Sequence, residues 1–222
     1  MKKPFEKPKA VIFDMDGVIF DTEKLCIDCW KTLAERDGLE NMEQALHKCI
    51  GTNAVRTKEI MLEEYGEGFD YDGYAWEASG LFHQVEERDG LPLKPGVREI
   101  LETLKNAGIP IGLASSTRLA AVEKELKDAG LYDYFQVVVG GDLLKKSKPE
   151  PDIYLMACER MGVDPKDAYA IEDSYNGIRA AHRGGLRGIM VPDLLPANEE
   201  MAQKAEIILE NLLDVIDYLN NV

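Results

Sequence analysis

Short apolar runs that end abruptly in polar residues constrain this chain more than any other feature. Ala10–Phe13 is stopped by Asp14-Met15-Asp16-Gly17, Ile109–Ala114 by Ser115-Ser116-Thr117, and Phe135–Val139 by Gly140-Gly141. Tyr169–Ile171 is stopped by Glu172-Asp173-Ser174 and Gly188–Val191 by Pro192-Asp193, and Ile207–Leu209 follows. Strands that are apolar on both faces belong in a parallel sheet covered by helices, since neither face can be left to water. Helical patterns fill the gaps between them. Pro95–Ala107 carries Val97, Ile100, Leu101 and Leu104 at helical spacing, and Thr117–Ala129, Pro151–Met161 and Tyr175–Arg183 are the next helices. Each is followed by a glycine (Gly108, Gly130, Gly162, Gly184), which suits a left-handed C-terminal cap. The alternation predicts an α/β fold with a doubly wound, Rossmann-like parallel-sheet core.

One block breaks the alternation. Thr22–Arg36, Met42–Ile50, Ala54–Tyr65 and Tyr74–Arg88 read as successive helices with no strand between them. A chain of 222 residues has room for a second domain. The expectation is an inserted all-helical domain over residues 22–90, with the α/β core made of residues 1–21 and 91–222. The chain would rejoin the core through Leu91-Pro92-Leu93-Lys94-Pro95-Gly96.

Composition narrows the function. A formal net charge of −15 argues against binding the phosphate backbone of nucleic acid, which needs clustered Lys and Arg. The apolar runs are strand-sized, too short to span a membrane, and none suited to a signal peptide follows the basic lead-in Met1–Lys9. Cys26, Cys29, Cys49 and Cys158 are read as free thiols of a reducing, cytoplasmic compartment. No protein partner is evident.

In open α/β sheets, ligands bind outside the carboxyl ends of the strands. Those ends carry Asp14 and Asp16, Ser115, and Glu172 with Asp173, and Lys148 lies in a loop after another strand. An Asp-x-Asp pair alone is an ordinary turn or helix cap. Here a hydroxyl, a Lys-Pro and a second acidic pair follow in order on the same predicted face, and that is the composition of a site. Four gathered carboxylic side chains repel one another, an arrangement that makes sense around a hard cation. Oxygen ligands of this kind suit Mg²⁺.

These segments resemble the four motifs of the haloacid dehalogenase superfamily. Asp14-Met15-Asp16-Gly17-Val18-Ile19-Phe20-Asp21-Thr22-Glu23 is similar to the first and Leu113-Ala114-Ser115-Ser116 to the second. Ser147-Lys148-Pro149-Glu150-Pro151-Asp152 is similar to the third and Ile171-Glu172-Asp173-Ser174-Tyr175-Asn176-Gly177-Ile178 to the fourth. The helical insert resembles the cap of the β-phosphoglucomutase-like phosphatases. The resemblance implies phosphate-monoester hydrolysis, among the slowest uncatalysed reactions, divided by a covalent intermediate into two easier displacements. It assigns Asp14 as nucleophile and Asp16 as the acid that protonates the leaving oxygen and then takes a proton from water. Ser115 would donate to a phosphoryl oxygen and Lys148 would add positive charge and restrain Asp14. Mg²⁺ would rest on Asp14, the Asp16 backbone carbonyl and Asp173, with Glu172 bound directly or through water. Backbone N–H groups from Met15 to Gly17 would help hold the phosphate, with Ser116 beside them and with Thr22 and Arg56 lining the cleft between domains. The substrate would be a small phosphorylated metabolite, most simply a sugar phosphate. The superfamily's dehalogenases lack an acid at the position of Asp16, since halide needs no proton. Its mutases carry a histidine on the first cap helix, where this chain has Cys26.

Overall fold

A computed structural model describes residues 8–50 and 54–221. Six strands form one sheet: β1 (Ala10–Phe13), β2 (Ile111–Ser115), β3 (Val137–Gly140), β4 (Ala168–Glu172), β5 (Arg187–Met190) and β6 (Ile207–Ile208). The spatial order is β3-β2-β1-β4-β5-β6 and every pair is parallel. This is the doubly wound order, in which the sheet is built outward in both directions from its first strand. β1, β2 and β4 are buried along their whole length, as strands covered on both faces must be.

Between β1 and β2 the chain runs through four helices: α1 (Thr22–Asp37), α2 (Met42–Cys49), α3 (Ala54–Tyr65) and α4 (Tyr71–Asp89). The remainder carries α5 (Val97–Asn106), α6 (Leu119–Asp128), α7 (Asp152–Met161), α8 (Tyr175–Gly184), α9 (Glu199–Lys204) and α10 (Leu212–Asn220). The chain divides into two compact units, one reaching Phe20 and resuming at Leu93, the other Asp21–Pro92. The α/β unit packs α7 and α8 side chains such as Ile153, Tyr154, Ala157 and Ala181 on the sheet residues Ile12, Ala114, Val139 and Ala170. The helical unit has a separate core of Trp30, Leu33, Met42, Ile60, Met61 and Tyr74. Trp30 stacks there on Tyr71 and Tyr74, with ring centroids 5.9 and 5.6 Å apart.

Element ends shifted where local chemistry outranks periodicity. α4 begins three residues before the expected Tyr74, because the Asp70 carboxylate accepts from the Gly73 N–H and caps the first turn. α6 begins at Leu119 rather than Thr117, because the Thr117 N–H donates to Ser115 Oγ instead of starting the helix. The left-handed cap of α8 is Gly185 (φ 81°), one residue beyond the expected Gly184. α9 and α10 lie outside the expected set; Asn198 and Asn211 cap them. No disulfide joins Cys26, Cys29, Cys49 or Cys158, and Cys26 and Cys29 stand at Cys-x-x-Cys spacing on α1. Among the described residues no helix is long and apolar enough to cross a membrane.

Candidate active site

The carboxyl ends of β1, β2 and β4 are adjacent in the sheet, so the residues that follow them converge. Phe13 pairs with Leu113 on one side and Ile171 on the other. The Asp14 N–H extends that ladder by donating to the Ile171 carbonyl (2.9 Å), which sets Asp14 beside Glu172. Among the described residues, Asp14, Ser115 and Glu172 are the buried polar side chains, and all three sit at this edge. Burial of a carboxylate is costly unless it is paired and hydrogen-bonded, so their partners define the site.

Lys148 is the main partner. Its ammonium donates to Asp14 Oδ1 (2.5 Å), Glu172 Oε1 (2.6 Å) and the Ala114 carbonyl (3.2 Å). An ammonium has three N–H donors, and here each one has an acceptor, so the side chain is held from three directions. Glu172 is held as firmly. Its Oε1 also accepts from the Tyr154 hydroxyl (2.5 Å), and its Oε2 accepts from Ser174 Oγ (3.0 Å). Ser174 Oγ in turn accepts from the Gly177 N–H (3.0 Å) and caps α8, which joins the helix start to the carboxylate.

Two glycines leave room for these acids. Gly17 has φ 73°, and a Cβ there would collide with the Asp173 carboxylate. A Cβ on Gly177 would occupy the space of the Glu172 carboxyl group. The Gly17 N–H donates to the Phe20 carbonyl (2.9 Å), and the Ile19 and Phe20 N–H groups turn back to the Met15 carbonyl (2.8 and 3.1 Å). The donor expected from Gly17 is therefore spent within the turn, and the glycine acts by its small size.

Oxygens of Asp14, Glu172 and Asp173 lie within 4.8 Å of one another. Of these three carboxylates, Asp14 and Glu172 pair with the Lys148 ammonium in a largely buried space. The electrostatics follow from this. Burial, and then the Glu172 charge, raise the Asp14 carboxyl to about 7, with Lys148 opposing them. Burial works against the Lys148 ammonium, but the Asp14 and Glu172 charges outweigh it and hold the group well above its ordinary value. Burial and Glu172 also push the Tyr154 phenol far up, so it remains a donor.

The other expected residues fall into two groups. Asp16, partly exposed, accepts from the Thr117 hydroxyl (3.2 Å). Ser115 Oγ accepts from the Thr117 N–H (3.0 Å), which leaves its own O–H available to donate. Ser116 is exposed at the end of β2. Thr22 opens α1, and Arg56 lies on α3 in ion pairs with Glu59 and Glu63 (3.0 Å each), so both belong to the helical unit. Thr117, Tyr154 and Ser174 were absent from the sequence expectation. Thr117 and Ser174 each follow an expected residue directly, which was the available signal; Tyr154 sits in the apolar stripe of a helix and carries none.

The family profile of the haloacid dehalogenase-like hydrolases matches residues 11–191. This chain belongs to that family. Within it the chain falls in the β-phosphoglucomutase-like subfamily. It is 34% identical over 184 residues to the phosphorylated carbohydrates phosphatase of Thermotoga maritima, covering 82% of this chain and 83% of that one. It is 34% identical over 215 residues to the β-phosphoglucomutase of Bacillus subtilis, covering 92% and 93%. A crystal structure from Thermotoga maritima superposes with a TM-score of 0.80 at 31% identity, covering 96% of this chain and 99% of its own.

Proposed function

We propose that this haloacid dehalogenase-like hydrolase is a Mg²⁺-dependent phosphatase that releases phosphate from a small phosphorylated metabolite, a sugar phosphate, through an aspartyl-phosphate on Asp14. The observation that carries the reading is Lys148, saturated by Asp14, Glu172 and Ala114 at the carboxyl edge of the sheet, with Asp16 two residues beyond the carboxylate it restrains. The relation to a phosphatase of phosphorylated carbohydrates supports the substrate class.

The donor set fits Mg²⁺: the clustered carboxylates of Asp14, Glu172 and Asp173 are hard oxygen ligands. Asp14, Asp173 and the Asp16 carbonyl would hold the ion, with Glu172 direct or through water. When bound, it supplies positive charge to the phosphoryl oxygens. The protein does the rest. An Asp14 oxygen attacks phosphorus while Asp16 delivers its proton to the leaving alcohol oxygen, breaking the phosphorus–oxygen ester bond. Thr117 holds the Asp16 carboxyl from the side. Ser115 O–H and the Lys148 ammonium stabilise charge on the equatorial oxygens. Asp16, now ionised, then takes a proton from water as the water oxygen attacks phosphorus and displaces the Asp14 carboxylate.

A mutase reading has one support, the β-phosphoglucomutase of Bacillus subtilis. Cys26 weighs against it. Partial desolvation and then the Glu23 charge raise this thiol above its ordinary value, so at pH 7 it stays neutral and does not handle protons as an imidazole does. The test is phosphate release across a panel of sugar phosphates, with β-glucose 1-phosphate plus a trace of the bisphosphate among them. Release should stop with EDTA and return with Mg²⁺. Full activity in metal-free buffer defeats the reading, and glucose 6-phosphate forming faster than inorganic phosphate replaces it with the mutase.

A further inference from the structure

Tyr154, the third residue of α7, is fully buried against the sheet. Its neighbours in that core are Ile153, Ala157, Cys158, Ala114 and Ala170, an apolar setting that phenylalanine would fill equally well. A buried hydroxyl costs free energy unless it is hydrogen-bonded, so its partner explains its presence. The partner is Glu172 Oε1 at 2.5 Å, the same oxygen that accepts a hydrogen bond from Lys148 at 2.6 Å. The ring contributes as well, since the Lys148 ammonium lies 5.2 Å from its centroid, within cation–π range.

We propose that Tyr154 is a positioning residue for the reaction: its hydroxyl fixes the Glu172 carboxylate, Glu172 fixes Lys148, and Lys148 fixes Asp14. The chain of contacts is continuous, and each member has a defined limit. The Glu172 carboxylate has about four lone-pair directions. Lys148 and Tyr154 take two on Oε1, and Ser174 Oγ and N–H face Oε2 at 3.0 and 3.4 Å. Without the tyrosine donor, Oε1 keeps only its contact with Lys148. The carboxylate is then free to rotate toward Lys148 or toward a cation, and the distance between Lys148 and Asp14 is no longer set. α7 is a rigid mount for this donor because its opposite end is tied down: at the left-handed Gly162 (φ 68°) the Gly162 N–H donates to the Glu159 carbonyl (3.1 Å) and the Val163 N–H to the Cys158 carbonyl (3.0 Å).

The inference rests on the reading that Asp14, Asp173 and the Asp16 carbonyl hold Mg²⁺ beside Glu172, and Tyr154→Phe tests it, since that change keeps the ring and its packing and deletes only the oxygen. Mg²⁺ binding is measured by calorimetry on the substrate-free protein, beside steady-state kinetics on the best sugar phosphate. Partners of metal-holding groups change metal affinity or activity by about 10–100-fold when removed. The expectation is Mg²⁺ affinity weaker by about tenfold and kcat lower by about tenfold, with KM for the sugar phosphate nearly unchanged. In a Glu172→Gln background the same change should do little more, because residues acting through one another are not additive. A purely structural role would lower the melting temperature and leave Mg²⁺ affinity unmoved. Wild-type Mg²⁺ affinity and kcat in Tyr154→Phe overturn the inference alone, whereas a wild-type protein that takes up no Mg²⁺ overturns the metal reading and this inference with it.

Discussion

Asp14 combines a nucleophile's chemistry with a cost to the fold. Burial and Glu172 raise its carboxyl to about 7, above the ordinary value of 3.8. In the metal-free protein the folded state keeps the Asp14 proton through a window from about 4 to about 7 in which the unfolded chain has released it. The stability this group contributes is therefore present at low pH and lost as pH rises through that window. With EDTA present, the wild-type melting temperature should fall between pH 5 and 7.5 relative to that of Asp14→Asn, which has no carboxyl to ionise there. Mg²⁺ should close the gap at the upper end. The same variant should lose turnover by a factor of 10³ or more, since an amide cannot take the nucleophile's part. A wild-type curve parallel to that of the variant, or appreciable turnover by the variant, counts against the assignment. The sequence made Asp14, Ser115 and Glu172 visible because each sits at or just past the end of an apolar run. Tyr154 was invisible for the converse reason: periodicity marks a position as inward-facing and cannot tell a core hydroxyl with a carboxylate partner from ordinary packing.

At the scale of elements, the site decides residues that helix propensity would choose otherwise. Gly177 stands in the first turn of α8, where alanine is favoured over glycine by about 1 kcal/mol. A Cβ at this position would fall on the Glu172 carboxyl carbon and both its oxygens. Overpacking typically costs about 1–3 kcal/mol, so sterics outweigh propensity. Gly177→Ala should lower stability by up to about 2 kcal/mol net, read as a drop in melting temperature. It should also reduce kcat by about tenfold or more by displacing the carboxylate that holds Lys148. A variant as stable and active as wild type would show that α8 can retreat from Glu172. Helix ends were legible where glycine closes them, as at Gly108, Gly130 and Gly162. They were misplaced where a side chain takes a backbone donor, as Asp70 and Ser115 do, because such a bond depends on geometry that a residue pattern does not carry.

For the whole molecule, the alternation of apolar runs and amphipathic segments was sufficient to foresee the doubly wound sheet, since strands buried on both faces admit few other arrangements. The seam between units is where pairing adds detail. The sequence suggested breaks after residues 21 and 90, whereas the units part after Phe20 and Pro92. Phe20 and Leu93 face each other as an antiparallel bridge, and the Lys94 N–H donates to the Ile19 carbonyl (2.9 Å). The Lys94 ammonium is held by Asp193 (2.6 Å) in the loop after β5. The α/β unit thus brings its own two open ends together with its own residues. A two-residue Asn-Gly turn is the natural closure for antiparallel neighbours. Replacing Asp21–Pro92 by Asn-Gly should leave a protein that unfolds cooperatively, with strand and helix signals in far-ultraviolet circular dichroism. Calorimetric Mg²⁺ binding should persist, because Asp14, Glu172, Asp173, Lys148 and Tyr154 all lie within the α/β unit. Sugar-phosphate turnover should fall while Mg²⁺ affinity stays within a few-fold of wild type, separating the chemistry held by the sheet edge from whatever the helical unit contributes to substrate choice. A shortened chain that aggregates or melts without a cooperative transition would mean that the α/β unit depends on the helices for its fold, and that the pairing of Phe20 with Leu93 is a consequence of the helical unit rather than a support independent of it.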